Sequence, residues 1–255
     1  MTGDNTMDYL RRTWADIDLD CIVHNYRELK SRLTPGCRTM AVVKADAYGH
    51  GDGYVSRALQ REGADWFAVS NINEAISLRR QEVARPILIL GCTPPEMAHT
   101  LAELGISQTV YSEEYAGELS RAAVEQKAVI DCHVKIDTGM SRIGFFAQHG
   151  HEARAAEEIA RVCALPGLSC TGVFTHFACA DECAGDSRDY TRMQYRSFLD
   201  TVELLEKRGI TFALRHCCNS AAALAYPEMH LDMVRLGVVL YGLPPSPEYA
   251  GMADL

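Results

Sequence analysis

The sequence has no block of basic residues, and its formal net charge is −9. Nucleic acid and anionic membrane surfaces are therefore not expected as partners. No apolar run is long enough to span a bilayer. The start, Met1 to Leu10, lacks the apolar core of a signal peptide. The ten cysteines follow no regular spacing. That argues against a disulfide framework and for reduced, buried thiols in a cytoplasmic protein. A cytoplasmic domain of a membrane-attached protein stays open as an alternative. Cys179 and Cys183 stand near His176 and Asp181, but the spacing is loose and no second pair completes a tetrahedral set. No metal is expected.

What is present is core. Hydrophobic residues make up 47% of the 255, which suffices for one large domain. Asp20 is placed to cap a first helix running to about Arg32, with Tyr26, Leu29 and Leu33 on its apolar side. Pro35-Gly36 ends it. Then one unit repeats: a short apolar run followed by an amphipathic helix. The runs are Met40 to Val43, Trp66 to Val69, Ile87 to Leu90, Ser107 to Val110, Ala128 to Ile136, Leu168 to Phe174, Phe212 to Leu214 and Met233 to Leu236. The helices fall near 54–62, 73–81, 95–104, 113–125, 151–163, 190–207 and 220–225. Strand–helix alternation means parallel pairing through crossovers. Eight such strands predict an α/β fold of the (β/α)₈ TIM-barrel type. A doubly wound open sheet is the competing architecture, but no Gly-x-Gly-x-x-Gly follows the first strand.

The first run gives out at a lysine. Val42-Val-Lys44-Ala-Asp-Ala-Tyr48-Gly-His-Gly51 carries Lys44 to the C-terminal end of a strand and then turns on two glycines. In a (β/α)₈ barrel that end is the catalytic face. A lone strand-end lysine more often snorkels to solvent. The loops after strands seven and eight supply a second feature. His216-Cys-Cys-Asn219-Ser220 and Arg235-Leu-Gly237-Val238 lie where such barrels commonly bind phosphate. Ser220 offers a hydroxyl at a helix start, and Gly237 lets backbone amides approach an anion. Either alone reads as a helix cap or a packing glycine. With Lys44 they make a lysine-plus-phosphate constellation.

Val42 to Gly51 resembles the cofactor motif of the alanine racemase family, in which the lysine holds pyridoxal phosphate as a Schiff base. The resemblance extends from about Thr13 to Tyr241. It includes the entry segment Trp14-Ala-Asp-Ile-Asp-Leu19, His133-Val-Lys135-Ile-Asp137-Thr-Gly139-Met-Ser-Arg142, Thr175-His176-Phe177-Ala178, and the two segments named above. It implies a pyridoxal-phosphate barrel with Lys44 as the catalytic lysine. Tyr48, His176, Asn219, Ser220, Arg235, Gly237, Val238 and Tyr241 join Lys44 in binding the cofactor. Arg142 contacts the substrate carboxylate. Behind these, Lys135 braces Arg142 and is often carbamylated in the family, and His216 hydrogen-bonds Arg235. Arginine cannot give up its proton. Opposite the pyridine nitrogen it leaves that nitrogen unprotonated, so the cofactor withdraws electrons weakly and transamination is restrained.

The implied function is interconversion of L- and D-alanine for peptidoglycan in a bacterial cytoplasm, by a homodimeric isomerase. A serine racemase domain of the vancomycin-resistance type, a non-catalytic pyridoxal-phosphate barrel and a Schiff-base aldolase remain alternatives. The barrel is expected over 1–243, with 244–255 starting a linker around Pro244-Pro-Ser-Pro247. The family's C-terminal β domain, which carries its second catalytic base, has no counterpart in these residues. Low activity is therefore expected of the chain alone.

Overall fold

Alternation along the strands sends one set of side chains inside a cylinder and the other set under the helices. The protein is described from a computed structural model covering residues 14–255. The stretch Met1 to Leu10, read above for a leader, lies outside the described residues. The strands are β1 (Arg38–Val42), β2 (Trp66–Val69), β3 (Ile87–Ile89), β4 (Ile106–Val110), β5 (Ile130–Asp137), β6 (Leu168–Phe174), β7 (Leu214–His216) and β8 (Met233–Leu236). All pair in parallel, in the spatial order β7-β6-β5-β4-β3-β2-β1-β8. Phe145–Phe146 adds a short pairing to the end of β5. The seam between β7 and β8 carries two backbone bonds, Asp232 N–H to Arg215 O at 3.2 Å and Arg235 N–H to Cys218 O at 3.0 Å. The Arg215–Asp232 ion pair at 2.9 Å supports it. The result is the expected (β/α)₈ barrel.

Met40, Val42, Ala68, Leu88, Phe174, Leu214 and Met233 fill the interior as an apolar plug. Their strand neighbours Ala41, Val43, Phe67, Val69, Ile87, Ile89, Val173 and Val234 face the surrounding helices in a larger cluster. Two layers thus share each strand, which is why the runs read as almost continuously hydrophobic. Polar groups share this interior, Arg235 in register with Met40 and His216 with Phe174. His133, Lys135, His216 and Arg235 are all buried there.

The helices are α1 (Leu19–Ser31), α2 (Asp52–Arg61), α3 (Ile72–Arg80), α4 (Ala98–Glu103), α5 (Glu113–Glu125), α6 (Glu152–Cys163), α7 (Gly185–Glu206) and α8 (Ser220–Ala225). Several boundaries differ from expectation for local reasons. Asp18, not Asp20, caps α1, accepting from the N–H groups of Asp20 and Cys21. The segment 95–104 begins as a 3₁₀ turn on Pro95. α7 starts five residues before Tyr190, at Gly185, with a polar first turn that carries no apolar periodicity. β7 sits two residues later than the Phe212 run, because Phe212 packs on the outer cluster while Leu214 and His216 point inward. Trp14 to Asp18 alternate in sequence but form neither strand nor helix. Residues 244–255 pack on the barrel: Tyr249 is buried, with its hydroxyl donating to Ala180 O, and Ser246 Oγ donates to Asp181 O. All ten cysteines are free. Among the described residues no helix is long and apolar enough to cross a membrane.

Candidate functional site

A cavity of about 580 Å³ opens at the C-terminal face of the barrel. Ten of the residues singled out in the sequence line it: Lys44, Tyr48, Lys135, Arg142, His176, Asn219, Ser220, Arg235, Gly237 and Val238. Tyr241 and His216 do not. Tyr241 stands behind Tyr48, ring centroids 5.1 Å apart, and its hydroxyl donates to Val42 O at 3.1 Å. His216 stands behind Arg235.

Lys44 leaves the end of β1 and is followed by a backbone feature that the sequence did not announce. Ala45, Asp46, Ala47 and Tyr48 all have φ between 51° and 54°, forming one turn of left-handed helix. For non-glycine residues this costs roughly 1–2 kcal/mol each, so the surroundings must hold it. Ala45 N–H donates to Glu74 Oε1 at 3.0 Å, and Glu74 Oε2 accepts Ser70 N–H at 2.7 Å. Asp46 Oδ1 accepts Asp52 N–H at 2.8 Å, tying the turn to the start of α2. The turn brings Tyr48 back over the lysine, with Lys44 Nζ 5.9 Å from the ring centroid.

Arg235 is fully committed except at one proton. Nη1 donates to His216 Nδ1 at 2.8 Å and to His216 O at 3.2 Å. Nη2 donates to Thr175 O at 2.8 Å and Cys217 O at 2.9 Å, with His176 Nδ1 at 3.3 Å. Nε–H, on a side chain that lines the cavity, has no partner among the described residues. Burial pushes the guanidinium down to about 10, so it remains a cation at neutral pH. Burial, reinforced by that cation, holds His176 and His216 well below the usual imidazole range. Both are neutral.

Across the cavity, Gly237 N–H donates to Ser220 Oγ at 2.9 Å. Ser220 is not the cap of its helix: Asn219 Oδ1 takes that role, accepting Ala222 N–H at 3.0 Å, which leaves the Ser220 hydroxyl to the cavity. A Cβ on Gly237 would lie 3.3 Å from Tyr48 Oη and 3.5 Å from Ser220 Oγ. The missing side chain therefore leaves a small polar cradle at the start of a 3₁₀ turn, Val238–Tyr241. The fit to pyridoxal phosphate rests on two observations: the Ser220 hydroxyl, which accepts from Gly237 N–H and keeps its own proton to donate to an anion beside the space that Gly237 leaves open, and an Arg235 Nε–H without a partner among the described residues, on a cation that lines the same cavity as Lys44.

Lys135 is buried; among the described residues its Nζ hydrogen-bonds Ile136 O at 2.9 Å and lies 5.5 Å from the Phe174 ring centroid. Burial, with the charge of Arg235 adding to it, pushes the amine down to about 7. Arg142 is exposed and makes no hydrogen bond or ion pair to the described residues. Its loop is shaped by Asp137 Oδ1, which accepts the N–H groups of Gly139 and Ser141 at 3.1 and 2.9 Å. Sequence reasoning passed over Glu74 and His133. Neither sits beside a cavity residue in the chain, and each acts through a partner that only the fold supplies.

A parallel barrel with a lysine, an anion cradle and an unpaired arginine N–H at its C-terminal face defines a protein built to take a phosphorylated, carbonyl-bearing cofactor. The family model described as "Alanine racemase, N-terminal domain" matches residues 17–245. Alanine racemase of Clostridium tetani is 43% identical over 248 residues, covering 97% of this chain and 62% of that protein. Alanine racemase of Desulforamulus reducens is 43% identical over 235 residues, with 92% and 62% covered. Among solved structures, the alanine racemase of Clostridium difficile in complex with cycloserine superposes with a TM-score of 0.90 at 36% identity, covering 96% of this chain and 66% of that one. The Bacillus anthracis alanine racemase with bound L-Ala-P gives 0.88 at 33% identity, with 96% and 61% covered. The chain belongs to the alanine racemase family, whose members use pyridoxal phosphate. It spans about 62% of the length of the curated relatives named here.

Proposed function

We propose that this chain is the pyridoxal-phosphate barrel of an isomerase that interconverts L- and D-alanine. The observation that carries the reading is the convergence of Lys44, the Gly237–Ser220 cradle and the free Nε–H of Arg235 on one cavity. When bound, pyridoxal phosphate takes up the substrate's amino group and draws electron density from its Cα.

The residues have separate tasks. Lys44 Nζ holds the cofactor and carries the Cα proton on its own face. Ser220, Gly237 and Tyr48 receive the phosphate. Arg235 Nε–H is the donor that would face the ring nitrogen, and because arginine keeps its proton, it would leave that nitrogen unprotonated and its electron withdrawal weak. This favours removal and return of one proton over transamination. His176 lines the same cavity as a neutral ring. Arg142, unpaired and exposed at the rim, is the cation available for the substrate carboxylate. A carbamate on Lys135 would turn its repulsion toward Arg142 into attraction.

The relatives named above are alanine racemases, which supports alanine rather than serine as substrate. Supply of D-alanine for peptidoglycan, a homodimer and a cytoplasmic site belong to the same proposal. The test is proton exchange at Cα of L-alanine in D₂O with the cofactor-loaded protein, which one base can drive. Deuterium appearing at Cα supports the reading. A protein that retains pyridoxal phosphate but exchanges nothing would be a binding barrel.

A further inference from the structure

The buried layer beneath the cavity contains a second histidine that the proposed reaction leaves without a role. His133 and His216 are both wholly buried, and His133 Nδ1 lies 3.0 Å from His216 Nε2. We propose that His133 is a positioning residue: it accepts the proton that Arg235 forces onto His216 Nε2, and so holds the His216 ring, and through it the orientation in which Arg235 presents Nε–H to the cavity.

The direction follows from donors and acceptors alone. A guanidinium only donates, so His216 Nδ1, which faces Arg235 Nη1 at 2.8 Å, must accept. A neutral His216 then carries its proton on Nε2 and donates it to His133 Nδ1. His133 in turn carries its proton on Nε2. That atom is buried and has no partner among the described residues. The chain of bonds therefore runs one way, from Arg235 through His216 to His133. Burial, with the Arg235 charge adding to it, pushes His133 down to about 3, so a second imidazolium does not compete.

The barrel is locally reshaped to admit this ring. The β5–β6 register shifts between Cys132 and His133, so that His133 faces Gly172 and Thr171 is passed over. A Cβ on Gly172 would fall 2.6 Å from three atoms of the His133 ring. Phe174 stacks on His216 with centroids 4.8 Å apart and planes 4° from parallel, and Trp66 packs on His133 at 5.0 Å. A register shift and a glycine opposite a buried, half-satisfied histidine indicate a specified contact rather than a filler. Without an acceptor at this position, His216 Nε2–H would point into the apolar plug. The ring would then gain by turning over, and Nδ1 would be lost to Arg235.

The part of this inference that concerns the cofactor rests on the proposed function, so the test separates the two. Long-range ¹H–¹⁵N spectra of the ¹⁵N-histidine-labelled chain report tautomers whatever occupies the cavity. Both His133 and His216 should be neutral with the proton on Nε2. A proton on Nδ1 of His216 overturns the proposal, even if no variant folds. Removing the acceptor with His133→Leu should let the His216 ring turn, replacing its single set of ring signals with more than one, and weaken pyridoxal phosphate binding roughly tenfold, the loss of about one hydrogen bond to a charged group. His133→Asn, which restores an acceptor near the Nδ1 position, should recover both. A merely space-filling His133 would be replaced better by leucine than by asparagine, and that ranking would also overturn the proposal. If the unchanged chain shows the expected tautomers but binds no pyridoxal phosphate, the functional reading fails and the histidine chain stands.

Discussion

The carboxylate of Glu74 accepts the backbone N–H of Ala45 at 3.0 Å, so a side chain in the first turn of α3 holds the residue next to Lys44. Its other oxygen holds Ser70 N–H at the end of β2. One carboxylate thus bridges two strand ends and secures the left-handed turn. Glu74→Ala should lower stability by about 1–3 kcal/mol, mainly the cost of stranding the part-buried Ser70 N–H, since the Ala45 N–H is exposed. Glu74→Gln, which keeps one acceptor oxygen, should lose less. Urea unfolding measures both. An alanine variant as stable as the parent would mean that the turn holds itself.

Lys44 is the expected point of covalent attachment. Borohydride reduction of the cofactor-loaded chain should leave the added mass on the peptide containing Lys44, and Lys44→Ala should leave none. An adduct on a different lysine would remove Lys44 from its assigned place.

Gly237→Ala tests the cradle. The new Cβ would lie 3.3 Å from Tyr48 Oη, at the far end of a side chain that can shift, so the fold should tolerate it. The space for an anion should not survive. Affinity for pyridoxal phosphate should fall roughly tenfold or more, the equivalent of losing one good polar contact. Affinity for pyridoxal, which lacks the phosphate, should barely change. Equal losses for the two ligands would place the phosphate elsewhere.

Lys135 sets a pH dependence. Its amine titrates near 7 in the folded chain and near 10.5 when exposed. Between those values the unfolded chain binds the extra proton, so this group makes stability rise with pH across that window. Below about 7 both states are charged, and the burial penalty is present in full. Lys135→Met should therefore gain most over the parent at low pH, and its advantage should shrink as pH rises from 7 toward 10.5. A pH-independent difference would contradict the assignment. The neutral amine is also the form that adds carbon dioxide with loss of a proton. ¹³C-bicarbonate should yield a carbamate carbon signal that strengthens above neutral pH and is absent from Lys135→Met.

The barrel and most of the cavity were legible because each rests on a local signal. Apolar runs at regular intervals require strands, and a lysine where the first run ends requires a functional reading once Ser220, Gly237 and Arg235 recur at the ends of the last strands. The left-handed turn was not legible. Ala-Asp-Ala-Tyr has no glycine, and its conformation is imposed by Glu74, which is remote in the chain. His133 was quoted only as part of a motif, since its facing depends on a register shift and on Gly172 in another strand. The Phe212 run misplaced β7 because hydrophobicity marks burial without saying on which side of the barrel wall the side chain lies.

The β7–β8 seam gives Arg235 a mechanical consequence. With two backbone bonds, and otherwise the partly exposed Asp232 carboxylate bonded to the Arg215 side chain and N–H, it is where the wall would be expected to open first. Arg235 crosses it, reaching from β8 to carbonyls of Thr175, His216 and Cys217. Opening the wall and withdrawing the cavity's arginine are then one motion. Amide hydrogen exchange at Asp232 and Arg235 should slow selectively when a ligand takes the Nε–H, while the outer helices exchange as before. The seam would thus act as a latch that the ligand closes from inside.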